Sequence, residues 1–261
     1  MEYLKIAIEA AIEASKKILE IYKNDFEVLI KDDKSPLTAA DIASNKIIKN
    51  YLEKSNIPIL SEEGIHTAYE TRKNWELVWI VDPIDGTKEF IKKNGEFTVN
   101  IALVKVNEPI LGVIVAPVLN QIYFSHYKLG SFKYENLDLV KYDISQIIKS
   151  SIRLPIKKEN NDYKVVASRS HLSKETENFI NEIKLSKKNI KIVSIGSSLK
   201  LCLVAEGKAD CYPRHAPTME WDTAAGHAIC NHAGFSVIDL TTNKPLKYNK
   251  KNLLNNWFLV N

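Results

Sequence analysis

A chain of 261 residues with 45% hydrophobic side chains can bury a sizeable core, as one large domain or two small ones. Its apolar runs are too short and too interrupted by Gly and Pro to span a bilayer, and Met1-Glu2-Tyr3-Leu4-Lys5 lacks the basic start of an export signal. A formal net charge of +4, interspersed with acids, suits an anionic small molecule and is not the footprint of a protein that binds a nucleic acid polymer.

Residues 3–23 repeat apolar groups at Leu4, Ile8, Ala11, Ile12, Leu19 and Tyr22, which predicts a helix with one buried face. A polar loop over 31–36 leads to Thr38-Ala39-Ala40-Asp41, the form of a capping box at the start of a second helix. Residues 57–60 read as a short strand closed by Ser61-Glu62-Glu63-Gly64, and 64–74 as a loop. The run 78–81 predicts a strand that delivers Asp82 and Asp85 into a turn, because Pro83 and Gly86 do not continue a strand. Gly86 and Thr87 then precede a segment, 88–93, that can begin a helix.

Residues 97–106 and 110–124 predict an antiparallel hairpin split at Asn107-Glu108-Pro109, with a third strand around 132–134. The polar stretch 135–163 holds the crossing between an α+β domain over 1–157 and an α/β domain over 158–261. In the second, strands at 164–167, 190–195, 210–213 and 235–238 alternate with helices at 174–183, 198–206 and 222–232, the pattern of an α/β layer. Cys202, Cys211 and Cys230 are odd in number and lack CxxC spacing, which argues against a disulfide framework or a zinc site. They suit a reducing cytoplasm, with peripheral attachment to a membrane face left open.

Acids stand at the ends of these elements: Asp41, Glu62, Asp82, Asp85 and Asp222. Asp82 and Asp85, with the Ile84 carbonyl between them, offer hard oxygen ligands to one small volume, which suits Mg²⁺ better than a soft-ligand metal. Backbone N–H groups at the start of the next helix would face an anion. A metal on one side and N–H donors on the other make a site for a phosphate ester. Taken singly, each acid also fits a cap, a turn or a solvated surface. His171 and His227 are poor partners for such an oxygen cluster.

A protein nucleophile fits badly. A cysteine phosphatase needs Arg six residues after its Cys, where Lys208, Pro217 and Ser236 stand. Pro83 and Ile84 separate two acids that an aspartyl-phosphate route would place one residue apart.

The set Asp41, Leu60-Ser61-Glu62-Glu63, Asp82-Pro83-Ile84-Asp85-Gly86-Thr87 and Trp221-Asp222-Thr223-Ala224-Ala225 resembles the lithium-sensitive, magnesium-dependent phosphomonoesterases of the inositol monophosphatase superfamily, in order and in spacing. Further stretches are similar to its CysQ-type 3′(2′),5′-bisphosphate nucleotidase branch: Lys88-Glu89-Phe90, 94–103, Ser168-Arg169-Ser170-His171, Gly196-Ser197-Ser198-Leu199-Lys200 and 203–207. The resemblance implies a layered αβαβα sandwich, two to three Mg²⁺ ions, and hydrolysis of adenosine 3′,5′-bisphosphate to AMP by water, a step that clears a by-product of sulfate assimilation.

By position, the resemblance assigns one metal to Glu62, Asp82 and the Ile84 carbonyl, and a second to Asp82, Asp85 and Asp222. Asp41, Thr87 and Glu62 form the implied catalytic group, with Thr87 orienting the attacking water and Asp41 polarising Thr87. Ile84, Asp85, Gly86, Thr87 and Asp222 would contact the substrate, with Gly86 and Thr87 N–H groups cradling the scissile phosphate. Ser168, Arg169, Ser170, His171, Gly196, Ser197 and Lys200 would bind the nucleoside and its other phosphate. Residues 255–261 depart from the family's usual ending, which puts the C-terminal strand in doubt. The alternatives are an inositol monophosphatase or sugar bisphosphatase sharing the metal half, and a non-catalytic metal- or phosphate-binding regulator, which would lack a ligand or Thr87.

Overall fold

The computed structural model describes residues 1–30, 36–65, 67–156, 162–167, 173–187 and 189–261. Helix α1 (Glu2–Tyr22) buries Leu4, Ala7, Ile8, Ala11, Ile12 and Ile18 along one stripe, the 3.6-residue period read from the sequence. Strands β1 (Val28–Ile30) and β2 (Pro36–Thr38) form an antiparallel ribbon that ends at the cap of α2 (Ala39–Leu52). Thr38 Oγ1 accepts from Ala40 N–H at 3.2 Å, and Asp41 Oδ2 accepts from Thr38 N–H at 2.8 Å, so the predicted capping box is formed.

There follow in chain order β3 (Ile59–Ser61), α3 (Tyr69–Arg72), β4 (Leu77–Asp85), α4 (Thr87–Ile91), β5 (Thr98–Lys105), β6 (Glu108–Ala116), β7 (Gln121–His126), β8 (Gly130–Tyr134), α5 (Ile144–Ser150) and β9 (Ile152–Arg153). Among the described residues the strands β3 to β9 make a seven-stranded sheet in that order, parallel between β3 and β4 and antiparallel elsewhere. Side chains of these strands alternate between two cores. Trp79, Val81, Ile101, Leu103, Val113 and Phe124 pack with α1 and α2, while Val78, Ile80, Ala102, Val104, Ile114 and Tyr123 turn to the opposite face. A sheet covered on both faces explains why β4 and β6 read as unbroken apolar runs.

The remainder comprises β10 (Tyr163–Ala167), α6 (Lys174–Ser186), β11 (Ile190–Ser194), α7 (Leu199–Ala205), β12 (Tyr212–Arg214), α8 (Glu220–His232), β13 (Val237–Asp239), β14 (Lys244–Pro245) and β15 (Phe258–Val260). Strands β10 and β11 pair in parallel, and β12, β15, β13 and β14 form an antiparallel sheet in that order. Helix α8 covers the second face of the large sheet and packs on α7. It approaches so closely that a Cβ on Gly112 of β6 would stand 2.3 Å from the Ala225 carbonyl oxygen. The layers therefore run α1/α2, large sheet, α7/α8, smaller strands, α6, the expected αβαβα order.

Four local expectations change. The 110–124 run is two strands, because residues 117–120 turn the chain, with Asn120 in the left-handed region at φ 53°. The 64–74 loop contains α3, whose buried Arg72 donates to Asn249 Oδ1 at 2.8 Å and to the Lys251 carbonyl at 3.1 Å. The polar 135–163 stretch holds α5 and β9. The doubtful C-terminal residues form β15, paired on both sides by β12 and β13. Among the described residues no helix is long and apolar enough to cross a membrane.

Candidate active site

Strand β4 does not stop before Pro83. Asp82 pairs with Asn100 and Asp85 with Thr98, so β4 carries one residue more than β5 over this interval, a bulge. Two residues three apart on a regular strand point to opposite faces. The bulge turns both acids to one cavity instead, which corrects the expected turn. Pro83 has no N–H to give to a ladder and sits within the bulge, where its carbonyl accepts from Ser44 Oγ of α2 at 2.8 Å.

That cavity, of about 400 Å³, is lined by Glu62, Asp82, Ile84, Asp85, Thr87 and Asp222 together with Pro36, Gly86, Lys88, Glu89 and Pro217. Asp82 is 1% exposed. Its Oδ1 accepts from Ile84 N–H at 3.1 Å, and its Oδ2 is buried without a partner. Burial, and then the charges of Glu62, Asp85, Asp222 and Asp41, push its pKa well above the usual carboxylate range. Burial likewise holds Asp85 up at about 6, against the pull of Lys200. Asp222, raised to about 8, owes this to burial and then to Asp85. Its Oδ2 accepts from Met219 N–H at 2.8 Å at the start of α8. Like charges held apart around a space need a cation to compensate them. Among the described residues no three or more His, Cys, Asp or Glu side chains close into a metal cage. An all-oxygen donor set with an orphaned Asp82 oxygen fits Mg²⁺.

Thr87 opens α4 after Gly86, whose φ of 92° is the left-handed conformation glycine adopts without strain. The Thr87 hydroxyl lies 3.3 Å from Asp41 Oδ1 and 3.4 Å from the Ile84 carbonyl oxygen. Asp41 therefore serves the cap through Oδ2 and faces Thr87 through Oδ1. The cap is formed, and the second oxygen is left facing Thr87.

A second cavity of about 200 Å³ adjoins the first and is lined by Ser197, Lys200, Tyr212, Arg214 and Thr218, among others. Asp85, Gly86, Glu89 and Asp222 line both cavities. Lys200 Nζ donates to the carbonyls of Ser197 at 2.7 Å and Ile195 at 3.3 Å, and Arg214 donates to those of Ala216 at 3.2 Å and Pro217 at 3.0 Å. Gly196 is docked by its N–H on Glu96 Oε2 at 2.8 Å, and Ser197 Oγ is buried without a partner.

Ser168, Arg169, Ser170 and His171 lie outside the described residues. His227 lines neither cavity; it is buried, with Nδ1 2.9 Å from the Tyr248 hydroxyl, and burial drops its pKa to about 3. Sequence reasoning missed Arg214, Tyr212 and Glu89 as lining residues. Arg214 directly follows the predicted strand 210–213, so the rule that site residues gather at strand ends would have found it.

The model of the inositol monophosphatase family matches residues 1–257. The chain belongs to the inositol monophosphatase family. Among family members, the 3′(2′),5′-bisphosphate nucleotidase CysQ of Escherichia coli K12 is 43% identical over 257 residues, covering 97% of this chain and 96% of that protein. The crystal structure of CysQ from Bacteroides thetaiotaomicron, a bacterial member of the family, superposes with a TM-score of 0.91 at 48% identity, over 99% of this chain and 96% of that one. An inositol monophosphatase of Thermotoga maritima shares the fold, with a TM-score of 0.71 at 23% identity, covering 100% of this chain and 92% of that one.

Proposed function

We propose that this chain is a Mg²⁺-dependent 3′(2′),5′-bisphosphate nucleotidase that hydrolyses the 3′-phosphate of adenosine 3′,5′-bisphosphate to give AMP and phosphate. One observation carries the reading: a cavity lined by the carboxylates of Glu62, Asp82, Asp85 and Asp222 and a cavity with two tethered cations, Lys200 and Arg214, share a wall. A substrate with two phosphates on one sugar fits such a pair, one on each side. The likeness to CysQ proteins supports it.

Glu62, Asp82 and the Ile84 carbonyl would hold one ion, and Asp82, Asp85 and Asp222 another, with Asp82 shared. Bound Mg²⁺ supplies positive charge to the phosphoryl oxygens and lowers the pKa of water. Thr87 gives its hydroxyl proton toward Asp41 Oδ1, which leaves its lone pairs to accept from the attacking water and aim it. Gly86 and Thr87 N–H groups, at the start of α4, offer donors to the scissile phosphate. Lys200 and Arg214 neutralise the remote phosphate by charge-assisted hydrogen bonds. A reducing cytoplasm suits Cys202, Cys211 and Cys230, which are free and buried.

The test is phosphate release with Mg²⁺ from adenosine 3′,5′-bisphosphate, 3′-AMP and inositol monophosphate. A charge-assisted contact to the remote phosphate is worth about 1.5–3 kcal/mol, so the bisphosphate should exceed 3′-AMP in kcat/KM by roughly one to two powers of ten. Equal efficiency on inositol monophosphate would overturn the reading.

A further inference from the structure

The wall between the two cavities is made of Asp85, Gly86, Glu89 and Asp222. Asp85 and Asp222 belong to the metal side, and Gly86 contributes backbone alone. Glu89 has no such task. It lies on α4, half-buried, and among the described residues its carboxylate accepts no hydrogen bond and joins no ion pair. Its stem is confined: Cγ lies 2.9 Å from where a Cβ on Gly196 would stand, and Oε2 lies 3.4 Å from the equivalent point on Gly86. The side chain is thus held between the 196–198 segment and the start of α4, at the edge of both cavities.

The charge of Lys200 on the same cavity offsets part of the repulsion that a carboxylate between two phosphate sites meets, and a hydrogen-bond donor on the substrate would offset more. The sugar ring carries both phosphates, so it must lie over the shared wall. Its remaining O–H group, the free hydroxyl vicinal to the scissile phosphate, is the donor the ring can offer. We infer that Glu89 is a specificity-determining residue that accepts a hydrogen bond from this free ring hydroxyl and so selects ribose over deoxyribose. The inference rests on the nucleotidase reading and adds to it a contact to the sugar.

The test compares kcat/KM for adenosine 3′,5′-bisphosphate and its 2′-deoxy counterpart in wild type, Glu89→Ala and Glu89→Gln, with melting temperatures to show that each variant is folded. The wild type should favour the ribonucleotide by roughly tenfold to a hundredfold, the range for a hydrogen bond to a charged group. Glu89→Ala should bring that ratio near one by slowing the ribonucleotide alone, and Glu89→Gln, whose amide oxygen still accepts, should keep part of it. An unchanged ratio in Glu89→Ala overturns the inference. Equal losses on both nucleotides overturn it too, by assigning Glu89 to structure. If only the preference for the bisphosphate over 3′-AMP falls, Glu89 is a partner of Lys200 and does not read the sugar. A wild type that cleaves neither nucleotide, yet releases phosphate from inositol monophosphate, overturns the nucleotidase reading itself.

Discussion

Asp82 is where the charge problem of this site is concentrated, since one of its oxygens is buried without a partner and burial, followed by four other acids, raises its pKa. Asp82→Asn keeps the shape and removes the charge, so Mg²⁺ affinity in calorimetry should fall sharply and turnover should vanish, with an unchanged circular dichroism spectrum. Near-normal rates at excess Mg²⁺ would contradict the assignment. Thr87 is a different case, because its hydroxyl faces the cavity without belonging to the proposed ligand set. Thr87→Ala should lower kcat by roughly 10²–10⁴ and leave Mg²⁺ affinity nearly unchanged, the size expected of positioned proton-transfer help. Asp41→Asn should lower both kcat and the melting temperature, since Asp41 uses one oxygen at Thr87 and the other at the α2 cap. A folded Asp41→Asn protein at full activity would leave the cap as its sole role.

Helix α8 is the element on which both halves of the site depend. It carries Asp222 in its first turn, and it lies against β6 where Gly112 permits backbone contact. Gly112→Ala would put a methyl group 2.3 Å from the Ala225 carbonyl oxygen, so helix and sheet must separate. Overpacking of this kind costs about 1–3 kcal/mol, which should appear as a lower urea midpoint with an unchanged slope. A variant as stable as wild type would show that α8 can shift freely. The start of α8 is also clamped from outside. Glu220, buried, accepts from Asn249 N–H at 2.5 Å and from Lys250 Nζ at 2.6 Å, and Asn255 Nδ2 donates to the Met219 carbonyl at 2.8 Å. The C-terminal loop thereby locates the helix end that presents Asp222.

Across the molecule, the raised pKa values make stability, pH and metal one problem. Asp85 near 6 and Asp222 near 8, with Asp82 also raised, hold protons in the folded state that the unfolded chain releases near pH 4. The folded state then binds more protons than the unfolded one between about pH 4 and 8, so through these groups stability falls as pH rises across that window. Below about pH 4 both states are protonated and the penalty is absent; above about pH 8 the share of Asp85 and Asp222 is complete. Mg²⁺ takes the place of those protons, so its effect on the melting temperature should grow from pH 5 to pH 8. Asp222→Asn, which removes one buried charge, should be more stable than wild type at pH 8 without Mg²⁺ and should gain less from adding it. Equal Mg²⁺ shifts at pH 5 and pH 8 would refute this coupling.

Signals that act over a few residues were legible in the chain itself. The apolar period of α1, the cap at Thr38 and Asp41, and the oxygen donors Asp82, Ile84 and Asp85 are local patterns; the structure buries the first, forms the second and brings the third to one cavity. Resemblance extended this reading to Glu62 and Asp222. What the chain could not display was how β4 continues: Pro83 and Gly86 signalled a turn, and only the ladder to β5 shows that a bulge absorbs Pro83 and turns both acids the same way. Strand β15 is similarly hidden, because its pairing partners, β12 and β13, are decided by tertiary packing and not by its own composition. The wall that joins the two cavities is the extreme case. It brings Glu89 beside Gly196 and Asp85 beside Asp222, residues more than a hundred positions apart, through the docking of Gly196 on Glu96 and the close approach of α8 to the large sheet. Local sequence determines which groups are available and what elements carry them; long-range packing, which depends on small residues such as Gly112 being opposite a backbone, decides which groups meet.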